Sequence, residues 1–171
     1  MKRRSVALLE CATALFSSSL CPHLLPQVIK NTNTDKPFHH QCALHTYFQV
    51  SDISEVEIFG DFRGKSYIDK CDDNKVKKEA RQVITIPEFT DAVYKGAHKN
   101  PITVASKLGK IAIVPAAGFS DVVVWNPYGN RDMEFVTNWR ELVCVESAVI
   151  DPVKLEPGEE WIGEFSLRPL G

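Results

Sequence analysis

Leu142–Ile150 reads LVCVESAVI. Every residue but Glu146 and Ser147 is apolar, and several are β-branched, a side-chain shape that packs well on a pleated surface. The stretch is a strand with one carboxylate and one hydroxyl set into it. Its neighbours extend the pattern. DVVVWNP (121–127) precedes it, and WIGEFSLRP (161–169) follows, with Trp161, Phe165 and Leu167 on one face. Further upstream come KIAIVPA (110–116), RQVITI (81–86), SYIDK (66–70), VEIFG (56–60), CALHTYFQV (42–50) and QVIKN (27–31). In VEIFG, Val56 and Ile58 share a face; in RQVITI, Val83 and Thr85 oppose Ile84 and Ile86. Prolines are expected to close KIAIVPA and DVVVWNP, since they cannot donate to a central ladder. Many short strands at spacings of roughly 8–12 residues predict an all-β sandwich or barrel.

Helical signals are weak. DMEFVTNW (132–139) sets Met133, Val136 and Trp139 at three-residue spacing, enough for two turns, and residues 6–16 form a second candidate without a clear cap. CDDNKVKKEA (71–80) reads as a solvated hairpin loop.

The 171 residues suffice for one domain with one sizeable core, and 44% hydrophobic with 25% charged residues is ordinary for a globular chain. A formal net charge of −2 leaves no basic footprint, so no nucleic-acid partner is expected. No apolar run is long enough for a transmembrane helix, so no membrane partner is expected either. The five cysteines are odd in number and contain no Cys-x-x-Cys pair, which predicts free thiols in a reducing compartment. The opening MKRRSVALLECATALFSSSLC pairs a basic start with an apolar stretch, as a targeting leader would, but Glu10 interrupts it.

Polar residues inside strands carry the functional information, because an unpaired buried polar group costs about 1–3 kcal/mol. His45 in CALHTYFQV is either a satisfied sheet histidine or a group aimed at a ligand. His39 and His40 precede it, but HHxxxxH matches no zinc pattern, so no metal is expected. Glu146 is either an edge-strand glutamate facing water or a partly buried carboxylate whose pKa rises toward that of a general acid or base. Asp121 and Asn126 bracket VVVW and both fit turns. Trp125 is either core or a stacking platform for a sugar ring. A histidine and a carboxylate on different strands make a minimal acid/base pair, able to move a proton on and off a hydroxyl.

VIKNTNTDKPFHHQCALHTYFQVSDISEVEIFG (28–60), YIDK (67–70), EFTDAVYKG (88–96), FSDVVVWNPYGN (119–130) and LVCVESAVIDPVKLEPGEEWIGEFSL (142–167) stand in one order along residues 27–169. Together they resemble the glucose-6-phosphate 1-epimerase branch of the aldose 1-epimerase, or galactose mutarotase-like, family. The resemblance implies an antiparallel β-supersandwich and an isomerase that interconverts the α and β anomers of a hexose 6-phosphate, with neither metal nor organic cofactor. It implies that His45 is the catalytic acid at the ring oxygen and Glu146 the base at the C1 hydroxyl. It further implies that Asp91 contacts sugar hydroxyls, and that Trp125 and Asn126 lie near the substrate. A cytoplasmic monomer is expected, or an organellar protein if the first residues are a leader.

The family's strands before this region, and the arginines that hold the phosphate, have no counterpart in residues 1–26. These are read as an atypical segment, a leader or a gene-prediction artefact. Residues 27–171 are read as the C-terminal portion of a mutarotase-like sandwich domain. Arg63 in GDFRGKS matches no phosphate ligand and reads as a loop charge. Exposed strand edges are then expected to make the chain fold poorly alone or act weakly. The alternative reading is a carbohydrate-binding remnant of the fold that has lost turnover.

Overall fold

The computed structural model describes residues 23–129 and 136–171. Among them run twelve strands: β1 (His23–Lys30), β2 (Phe38–Leu44), β3 (Tyr47–Gln49), β4 (Glu57–Phe59), β5 (Ser66–Asp69), β6 (Lys75–Lys78), β7 (Thr90–Tyr94), β8 (Ile102–Ser106), β9 (Gly109–Ala117), β10 (Asp121–Asn126), β11 (Leu142–Leu155) and β12 (Glu160–Leu170). One sheet has the order β1-β12-β9-β8-β4. The other runs β2-β11-β10-β7-β5-β6, with β3 also paired to β11. The strand pairings are antiparallel.

Alternation along each strand builds two apolar layers. Val122 and Val124 of β10 and Val143 and Val145 of β11 join one cluster with Ile58, Val104, Ile113, Phe165 and Leu167 of the other sheet. Each such fully buried side chain contributes about 1.5–3 kcal/mol. The alternate positions Val93, Val123, Trp125, Leu142, Cys144 and Ala148 form a second cluster on the opposite face of the larger sheet. That sheet is therefore apolar on both sides, and LVCVESAVI reads as continuous hydrophobic text for that reason.

Several expectations change in three dimensions. CALHTYFQV is two strands, β2 and β3, broken at His45 and Thr46. RQVITI makes a single bridge, Ile58 to Ile84, although Ile84 and Ile86 are buried as the alternation required. Pro115 does not end β9: it lies opposite Phe165 beside a register shift in the β9–β12 ladder, where a missing N–H is tolerated. In DMEFVTNW, residues 132–135 lie outside the described residues. Val136–Asn138 is not helical, and Trp139 opens only a 3₁₀ turn, Trp139–Glu141. The candidate helix at 6–16 also lies outside the described residues. CDDNKVKKEA is a tighter hairpin than a loop, since Lys75–Lys78 is strand β6. Its turn carries left-handed Asp73 (φ 48°) and Asn74 (φ 58°), closed by the Lys75 N–H on the Asp72 carbonyl.

Two polar devices hold the frame. At the β11 irregularity between Val149 and Val153, the Ile150 N–H donates to the Asp121 carboxylate at 2.8 Å, and Gln41 Nε2 donates to the Ile150 carbonyl. Asp121 also accepts from the Gly96 N–H at 2.8 Å, so it is a buried brace rather than a turn end. On the far side of the sheet, Glu79 is 4% exposed and accepts from Arg81 Nε (2.9 Å) and Nη2 (2.8 Å) and from the Tyr94 hydroxyl (2.7 Å). Burial pushes the Glu79 carboxyl up, but the Arg81 and Tyr94 hydrogen bonds outweigh it and hold it at about 2.

Gly118 in the β9–β10 turn has φ +72°, and a Cβ there would lie 2.2 Å from the Ile162 carbonyl oxygen. Glycine is required by both conformation and space, and the turn passes close under β12 because of it.

Candidate active site

The outward face of the larger sheet carries the polar residues. Registers place Val123 opposite both Glu146 and Val93, and Trp125 opposite both Cys144 and Asp91. Glu146 on β11 and Asp91 on β7 therefore sit diagonally across β10, with Trp125 between them. β2 ends at Leu44 opposite Ser147, and β3 begins at Tyr47 opposite Cys144. The gap between the two strands falls beside Glu146, and His45 is the first of its two residues.

His45 Nε2 lies 3.5 Å from Glu146 Oε1, with the histidine side chain 42% and the glutamate side chain 8% exposed. The imidazole stacks on Tyr47 (4.6 Å between centroids) and meets Trp125 edge-on (5.5 Å). The two rings fix its plane, so Nε2 faces the carboxylate. Around them opens a cleft of about 660 Å³, lined by His45, Lys70, Asp91, Trp125 and Glu146 and floored by Val93 and Val123. That volume is in the range of small-ligand sites.

Burial pushes the Glu146 carboxyl up to about 7; Asp91 adds to the rise and Lys70 opposes it. Burial holds His45 below the ordinary imidazole value, while a backbone hydrogen bond and Asp91 pull it upward. Asp91 is raised by its own burial, against the pull of Lys70. The cleft thus sets a carboxyl that titrates near neutrality beside an imidazole whose pKa burial lowers.

Asn126 stands apart. It is fully buried on the opposite face of β10, with Val122 and Val124, and does not line the cleft. Its amide donates to the carbonyls of Trp139 (2.9 Å) and Leu142 (2.8 Å), and its oxygen accepts from the Tyr128 N–H (2.9 Å). It braces the chain that enters β11. Asn126→Ala removes the partner of three backbone groups, one buried and two partly buried, and a loss of about 2–4 kcal/mol is expected. The urea midpoint reports it; a change below about 0.5 kcal/mol contradicts the bracing role.

Lys70 and Asn74 also line the cleft, from the β5–β6 hairpin. The charge-rich text around them looks like any solvated loop. The one available signal was the period-2 pattern, which sets Lys70 on the same face as Ile68. Arg63 is exposed and reaches Gln82, away from the cleft. His39 is exposed and His40 buried, on opposite faces of β2. Among the described residues, no three His, Cys, Asp or Glu side chains gather as a metal site would require.

Comparison with known proteins adds the lineage. Residues 16–168 match the family described as aldose 1-epimerase. A curated relative from Cenchrus ciliaris, named "Putative glucose-6-phosphate 1-epimerase", is 35% identical over 148 residues, 83% of this chain and 45% of that protein. A relative of the same name from Escherichia coli is 32% identical over 115 residues, 65% of this chain and 38% of the relative. A solved structure described as a "putative mutarotase (YeaD)" from Salmonella typhimurium superposes with TM-score 0.67 at 23% identity, over 86% of this chain and 50% of that one. The fold is therefore galactose mutarotase-like. The chain spans less than half the length of these curated relatives and half of that solved one.

Proposed function

This chain belongs to the aldose 1-epimerase family, and on that footing we propose that its cleft interconverts the α and β anomers of a hexose 6-phosphate. The observation that carries the reading is the His45–Glu146 contact of 3.5 Å at the mouth of the cleft.

Glu146 takes the proton from the C1 hydroxyl. The O1 electrons form the carbonyl, the C1–O5 bond breaks, and O5 takes a proton from the imidazolium of His45. The open aldehyde turns about C1–C2. The reverse steps then close the ring on its other face: His45 recovers its proton from the C5 hydroxyl, and Glu146 returns one to O1. No atom or electron is gained or lost. Asp91 accepts from sugar hydroxyls, and Trp125 offers an apolar wall to the C–H face of the ring.

The test is exchange between the anomers of glucose 6-phosphate, followed by NMR. Acceleration above buffer supports the reading. Binding without acceleration assigns the chain instead as a sugar-binding remnant.

The working form of the pair carries a single proton. Above about pH 7, where Glu146 titrates, that proton is lost; below the His45 pKa, a second one is gained. A bell-shaped dependence of kcat/KM is expected, with its alkaline limb near pH 7 and its acid limb below about 6.5. A profile flat from about pH 5 to 9 contradicts the assignment of roles.

A further inference from the structure

We propose that Lys70 is the group by which this cleft prefers a phosphorylated sugar over a neutral one, taking the phosphate at the end remote from the His45–Glu146 pair. The inference rests on the hexose-phosphate reading above and adds the residue that sets its specificity.

Lys70 follows β5 directly. Its backbone N–H donates to the Asp91 carbonyl at 2.9 Å, one position beyond the Asp69–Ala92 pair. It shares the face of Ile68, two residues earlier, and so projects on the cleft side, where it lines the cavity. Cross-strand neighbours of opposite charge on one face ordinarily pair. Lys70 and Asp91 do not: among the described residues Lys70 makes no ion pair within 4 Å. The other carboxylates of the hairpin are already taken. Asp69 holds Lys77 at 2.7 Å, and Asp72 holds Lys75 at 2.6 Å and Lys77 at 2.9 Å. Lys70 is thus an ammonium on a cleft wall whose nearby acids either have other partners or stand apart from it.

Its place suits the far end of the substrate. In the order β11-β10-β7-β5, three strand spacings separate Glu146 from the strand that carries Lys70, about 14 Å at the backbone. Both residues line the one cleft, at the two ends of that run of strands. Without Lys70, the described cleft would present Asp91 and Glu146 to a phosphate with no permanent cation in its lining. Charge repulsion would then favour the neutral sugar.

Calorimetric titration with glucose 6-phosphate and with glucose, at pH 7.5 and low salt, tests this on the whole chain. The wild type is expected to bind the phosphate ester at least about tenfold more tightly than glucose, a preference that shrinks as salt rises. Lys70→Met should bring the ratio of the two affinities close to one, and Lys70→Arg should keep most of it. Thermal melts confirm that the variants fold. A wild type that binds both sugars equally or neither, or a Lys70→Met ratio equal to the wild-type ratio, overturns the proposal. Equal weakening for both sugars also overturns it, and would assign Lys70 to the carboxylates instead. Failure of the isomerase reading looks different: the preference persists in binding while the anomers exchange no faster than in buffer.

Discussion

On the proposed mechanism, Glu146→Gln is expected to lower the anomerisation rate of glucose 6-phosphate by a factor of roughly 10²–10⁴, the usual worth of a positioned acid or base. Glutamine has nearly the same size and keeps the β11 packing, but it cannot take the C1 hydroxyl proton. His45→Ala is expected to cost a similar factor, because O5 would then leave without a proton from the protein. NMR exchange between the anomers measures both, and a change below about fivefold in either variant removes that residue from the mechanism.

The same glutamine variant should be more stable than the wild type at alkaline pH. Folding raises the Glu146 pKa from 4.5 to about 7, so the folded chain holds a proton that the unfolded chain has released. This group's contribution is fully favourable below pH 4.5 and is lost as pH rises through 7. Above pH 7 the ionised, buried carboxylate costs up to about 3 kcal/mol, which glutamine does not pay. The two stability curves should converge toward pH 4.5 and separate toward pH 8. A glutamate kept for structure alone would lose stability on substitution and leave no such crossing of rate against stability.

Arg81→Met should produce the largest loss of stability, about 3–5 kcal/mol at pH 7. Arg81 is partly exposed, and its own ion pair adds little by itself. The cost arises at Glu79, which is 4% exposed and would be left buried and charged with the Tyr94 hydroxyl as its remaining side-chain donor. Tyr94 is 1% exposed and packs against Phe62 and Tyr67 at ring distances of 5.0 Å, so the disturbance reaches the core. The double variant Arg81→Met with Glu79→Gln should recover part of the loss, since no buried charge remains. Urea midpoints report both. If the single variant changes the midpoint by less than about 1 kcal/mol, or if the double variant is worse than the sum of the singles, Glu79 is not held by this network.

How much was legible varies by residue. Val56, Ile58, Phe165 and Leu167 are buried as their alternation requires, because the side-chain period of a strand is set locally. The burial of Ile84 and Ile86 followed from the same rule, while their ladder did not form, because pairing depends on where a partner strand runs. The run CALHTYFQV places His45 inside a continuous strand. It lies in a break, and only the two partners drawn to β11 reveal that. Asn126 and Trp125 are adjacent in sequence and belong to one motif, yet one residue of pleat sends them to opposite faces. For Lys70 the period-2 pattern gives only a shared face with Ile68, and Asn74 has no signal at all, since a charged hairpin at a cleft rim and one in open solvent are written alike.

Alternation, turn residues and β-branched runs determined by themselves that the chain is an all-β sandwich or barrel, and which side chains share a face of each strand. Those are short-range properties, fixed by φ/ψ geometry and by the cost of wetting apolar surface. Only the tertiary structure decided that Glu146 is buried, that His45 stands 3.5 Å from it, and that Asp91 and Lys70 face the same hollow. Register between strands far apart in the chain sets those distances, and the shared low-dielectric surroundings they create move the carboxyl of Glu146 to where it can trade a proton.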